Sequence, residues 1–82
     1  SPAQGFPGGV IVTFKREWSE KQIVAWLAGR GLAIDKKLEI GPNVYLVKTE
    51  PGIASIEVAN SLRASGEVLK ALPNSTLDIA LF

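Results

Sequence analysis

The sequence predicts a single α+β domain whose elements run β-α-β-β-α-β. Three observations carry this. Two runs of β-branched and aromatic residues, Val10-Ile11-Val12-Thr13-Phe14 and Val44-Tyr45-Leu46-Val47-Lys48-Thr49, read as strands. Two segments with apolar residues at helical spacing, around 19–31 and 55–66, each close on a glycine. The length of 82 residues fits one domain and no more.

Residues 1–8 are rich in Gly, Pro and small side chains and are expected to form a flexible leader. The first strand follows at 10–14, with Val10, Val12 and Phe14 on one face and Ile11 and Thr13 on the other. Ser19 is the expected N-cap of the first helix. Gln22, three residues on, completes a capping box, and Trp18 with Ile23 matches a hydrophobic staple. Ile23, Val24, Trp26 and Leu27 form the apolar stripe, so Trp26 reads as a core residue. Gly31 stands at C′.

From Leu32 to Ile40 the period becomes two, with Leu32, Ile34, Leu38 and Ile40 sharing a face. Lys36 interrupts that face, which predicts a bulge or an exposed end there. Gly41-Pro42-Asn43 is a turn, and its shortness makes the flanking strands an antiparallel hairpin. Glu50-Pro51-Gly52 breaks the second strand of that hairpin. Ser55 is the expected N-cap of the second helix, with Ile56, Ala59 and Leu62 on one face and Gly66 at its end. Val68 to Leu72 is the last strand, stopped by Pro73-Asn74, and residues 75–82 remain as a tail.

Strand, capped helix, glycine and strand thus occur twice. That is the pattern of the split β-α-β, or ferredoxin-like, sandwich. Right-handed crossovers place both helices on one face of a four-stranded antiparallel sheet in the order 4-1-3-2. The opposite sheet face is then open to a partner.

Composition narrows the chemistry. The chain has no Cys and no His, so neither a Ser-His-Asp triad nor a thiol nucleophile nor a CxxC metal loop can be built from it. The eight acidic residues are scattered and read as solvated surface. The expectation is a non-catalytic domain with no cofactor and no metal. Net charge is +1, and no run of Lys or Arg exceeds two residues, which argues against nucleic acid and membrane surfaces as partners. No apolar stretch approaches the roughly 20 residues of a membrane span. Residues 1–5 lack the basic and apolar regions of a signal peptide, leaving either a cytoplasmic chain or a piece of a longer precursor.

Several phrases resemble, in order, the N-terminal prodomain of subtilisin-like serine proteases. Gly9-Val10-Ile11-Val12-Thr13-Phe14-Lys15 is similar to that family's opening strand, and residues 19–30 to its first helix. Asn43-Val44-Tyr45-Leu46-Val47-Lys48 resembles the central strand, and Ser55 to Arg63 the second helix. Gly66-Glu67-Val68-Leu69-Lys70-Ala71-Leu72-Pro73-Asn74 is similar to the closing Val-x-x-Ala-x-Pro-Asn strand. The likeness spans residues 8–74, with the domain proper at 9–74. Lys70 and Leu72 depart from it, Leu72 standing where an acidic or polar residue is often found.

The resemblance implies an inhibitor and intramolecular chaperone, secreted or extracytoplasmic as part of a precursor. The open sheet face would dock on a subtilisin-like protease domain, in cis or in trans, and the tail would lie extended in its active-site cleft. Leu77, Ile79, Leu81 and Phe82 are the candidate tail contacts; with Phe82 at P1, Ile79 falls at P4, two positions where such clefts take large apolar groups. The same alternation also suits an extra edge strand of this domain. Family members place acidic side chains at helix N-termini of the protease, for which Glu39, Glu50 and Glu67 are candidates, with Tyr45 as a further interface residue.

Three alternatives share the fold. An RNA-recognition module would stack bases on Phe14 and Tyr45 of the central strands, but its Lys/Arg-Gly-Phe signature is missing. A small-ligand-sensing domain would need no catalytic group. An acylphosphatase-like enzyme would need a phosphate cradle after the first strand, where this chain has Arg16-Glu17-Trp18.

Overall fold

The computed structural model describes residues 5–75. The elements are β1 (Val10–Phe14), α1 (Glu20–Ala28), β2 (Ile34–Lys37), β3 (Val44–Val47), α2 (Ile53–Ala64) and β4 (Val68–Pro73). The four strands form one antiparallel sheet in the order β2-β3-β1-β4, the order the topology rules predict. The fold is the ferredoxin-like sandwich.

Strand alternation decides which side chains meet the helices. Val10 lies opposite Val47, and Val12 lies between Tyr45 and Ala71. With Phe14 these residues form one cluster with Ile23 and Leu27 of α1 and Ala59 and Leu62 of α2, so both helices cover the same sheet face. Complete burial of a Val, Leu, Ile or Phe side chain stabilises by about 1.5–3 kcal/mol, and this layer is the main source of stability in a chain without staples. Trp26 packs against the cluster, edge-on to Phe14 and Trp18, with the Arg30 guanidinium 4.5 Å from its ring centroid.

Local signals account for the first helix. Gln22 N–H donates to Ser19 Oγ at 3.2 Å, and Ser19 N–H donates to Gln22 Oε1 at 2.8 Å, which completes the capping box. At the other end Gly31 N–H donates to the Ala28 carbonyl and Leu32 N–H to the Leu27 carbonyl. With Gly31 at φ 75°, this is a Schellman ending with glycine at C′. Asn43 ties the loop before α1 to the hairpin. Its Nδ2 donates to the carbonyls of Lys15 and Trp18 at 2.8 and 2.9 Å, and its own φ of 54° explains an Asn at this turn.

The structure corrects four expectations. The register slips between Ile34 and Lys36, so the anticipated bulge is present but β2 is shorter than 32–40, and Ile40 is exposed beyond it. The second helix starts at Ile53 with Gly52 as N-cap. Ser55 sits buried inside its first turn, where its hydroxyl donates to the Gly52 carbonyl at 2.8 Å instead of capping N–H groups. Tyr45, expected at an interface, belongs to the helix-facing side and is 2% exposed. Finally, the leader is not free up to residue 8: the Phe6 carbonyl accepts from Gly52 N–H and the Gly8 carbonyl from Asn74 Nδ2.

Candidate functional site

The face turned away from the helices carries the other parity of each strand. Ile11 lies between Leu46 and Leu72, and Thr13 between Val44 and Lys70. No element among the described residues covers this face. Ile40 from the hairpin turn and Leu69 from β4 extend it into an apolar groove of about 540 Å³, with Arg16 and Lys70 as its lining cations. Ile40, Leu69 and Leu72 are 74%, 59% and 57% exposed. Three of the five strongly exposed large hydrophobic residues among those described therefore line one groove, which is a patch and not a scatter.

The candidate carboxylates divide between the two ends of the sheet. Glu39 precedes Ile40 in the hairpin turn, and Glu67 directly precedes β4, where Val68 lies opposite Phe14. Phe14 N–H in turn donates to the Asn43 carbonyl of the same hairpin turn, so Glu39 and Glu67 belong to the same end of the sheet. Lys15 Nζ stands 3.5 Å from Glu67. Glu50 follows β3 at the opposite end, so it is not part of that group. All three are exposed.

Tyr45 is instead a hinge between layers. Its hydroxyl lies 3.4 Å from Glu20 Oε1 in the first turn of α1. Burial, and then the negative charge of Glu20 and its hydrogen bond, raise the phenol above its usual pKa. Phe14 and Tyr45 are both buried, so neither ring can serve as a base-stacking platform on the open face. Among the described residues there is no group of three or more acidic, His or Cys residues placed to hold a metal, and no helix is long and apolar enough to cross a membrane.

Leu77, Ile79, Leu81 and Phe82 lie outside the described residues. Ile11, Ile40, Leu69 and Leu72 were not singled out from the sequence as a surface. The signal was available: Ile11 and Thr13 have the opposite parity to Val10 and Val12, and the predicted strand order leaves that side bare. Lys70 and Leu72, the two departures from the prodomain pattern, both fall on this face.

Comparison with protein-family models, curated proteins and solved structures finds no match to this chain.

Proposed function

We propose that this domain is a prodomain of the subtilisin-like kind, which assists folding of a serine protease and inhibits it. The open sheet face docks on the enzyme, and residues 75–82 occupy its cleft. The observation that carries this reading is the uncovered apolar groove bordered by β4, the strand that leads into the tail.

Elementary dimensions support a contact in two parts. Four strands at about 4.8 Å spacing and five residues at about 3.3 Å give a projected face of roughly 300 Å². A standard interface buries about 800 Å² on each partner. The sheet face alone falls short, and an extended tail supplies the remainder by strand-like pairing with the enzyme. Glu39 and Glu67, exposed at the same end of the sheet, are suited to accept N–H groups at helix N-termini of the partner. The RNA alternative loses its stacking rings to the core, and no observation favours the ligand-sensing one.

The test is a progress curve with the purified chain and a subtilisin-like protease on a chromogenic peptide. The expected result is inhibition that saturates with domain concentration and fades as the domain is digested. Cleavage of the domain with no slowing of peptide hydrolysis would refute the proposal.

A further inference from the structure

The register of the sheet fixes which charged side chains share the open face. Directly opposite residues of an antiparallel pair lie on one side. Lys36 is opposite Leu46, Leu46 opposite Ile11, and Ile11 opposite Leu72, so one row across the sheet reads Lys36, Leu46, Ile11, Leu72. The neighbouring row holds Val44, Thr13 and Lys70. Arg16 follows β1 and lines the groove with Lys70. An apolar centre is therefore bordered by Lys36 on one edge strand and by Lys70 on the other.

No carboxylate offsets these cations on the face. The strand positions on it carry none, and the groove lining has none. Asp35, skipped where the register slips, lines a different cavity with Leu32 and with Val58 of α2, on the helix side. Lys15 has Glu67 as its partner in the one ion pair among the described residues, so Arg16, Lys36 and Lys70 are exposed cations without one. Lysines on edge strands often serve only to repel stray strands. These two stand instead on the side of the apolar groove, where a partner meets them.

We infer that the surface this face takes is acidic: an apolar strip with carboxylates on both sides, which pair with Lys36 on one border and with Lys70 and Arg16 on the other. A second copy of this chain does not fit, because a two-fold contact sets the same cations against one another. Three strand intervals of about 4.8 Å put the edge strands about 14 Å apart. A helix with its side chains is about 10–12 Å across, so one laid along β1 and β3 covers the apolar centre and brings its flanks to the cations. Charge pairs at the border of an apolar contact act on association and on the choice of partner, so the preference is salt-dependent.

That the acidic surface belongs to a protease rests on the prodomain reading; the preference for it does not. A helical peptide about five turns long, with a leucine stripe flanked by glutamates, tests the preference by NMR titration of the full chain. It is expected to shift the amides of Ile11, Leu46 and Leu72. It should bind at least about fivefold tighter than the same peptide with lysines in place of the glutamates. Lys36→Gln/Lys70→Gln should abolish that preference. Lys21→Gln/Lys37→Gln removes as much charge from α1 and from the position opposite Tyr45, on the helix side, and should keep it. Equal affinity for the two peptides, no binding of either at ~1 mM, or equal effects of the two double variants would overturn the inference. So would a dimer in sedimentation, or phosphatidylserine vesicles that shift the same amides, which assign the face to a second copy or to a membrane.

The second arm is the inhibition constant against a subtilisin-like protease at about 0.02 and 0.5 M salt. Inhibition by the unaltered chain is expected to weaken about five- to tenfold at the higher salt, and Lys36→Gln/Lys70→Gln to flatten that dependence. Inhibition indifferent to both would overturn the inference for the protease. If the glutamate peptide is preferred but the unaltered chain does not inhibit, the prodomain reading fails and the acidic preference of the face stands.

Discussion

At the scale of single residues, Tyr45 shows how one side chain links the two layers. Its ring fills the core while its hydroxyl reaches Glu20 at the start of α1. Its folded pKa is raised above the unfolded value of about 10. The unfolded chain then gives up the phenolic proton first as pH rises, so the unfolded state binds fewer protons and stability falls. The contribution is whole below about pH 10 and is lost as pH rises through the folded pKa. Urea midpoints measured between pH 8 and 11 should fall in the alkaline limb, and Tyr45→Phe should flatten that fall. An unchanged alkaline slope in the variant would contradict the assignment. The sequence makes Tyr45 a strand residue but does not give its side. Parity within a strand is visible, but which parity faces the helices depends on pairing with β1, a long-range fact. Asn43 was legible only as a turn residue, since its two bonds reach back 28 and 25 positions.

At the scale of elements, helix starts show when local signals suffice. The capping box of α1 closes within four residues, so Ser19 and Gln22 were readable together. Ser19→Ala should destabilise the domain by about 1 kcal/mol in urea unfolding, while Ser19→Asp should retain most of the stability. Equal stability of the alanine variant and the unaltered chain would show that α1 is held by packing alone. The second helix has no side-chain cap, and its true start at Ile53 follows from the Gly52 N-cap, a glycine backbone at φ 75° whose N–H donates to the Phe6 carbonyl. Ser55 has the composition of a cap but lies where the helix is already formed. The bulge near Lys36 was legible because a lysine breaks an apolar alternation. The shortening of β2 was not, because it depends on where pairing with β3 ends.

At the scale of the whole molecule, element order and the handedness of crossovers were enough to give strand order and the covered face. The open face was foreseen as a place, but its residues emerged only with the register that sets Ile11 beside Leu46 and Leu72. We propose that this face is the contact surface for a protease. Leu69→Glu puts a charge in the groove on a side chain that is 59% exposed, so urea stability should change by no more than about 0.5 kcal/mol. The most direct test is the inhibition constant of Leu69→Glu against a subtilisin-like protease, measured beside the unaltered chain. A loss of about tenfold or more is expected, because the carboxylate would be buried without a partner in the complex. Equal inhibition by the two proteins would contradict it.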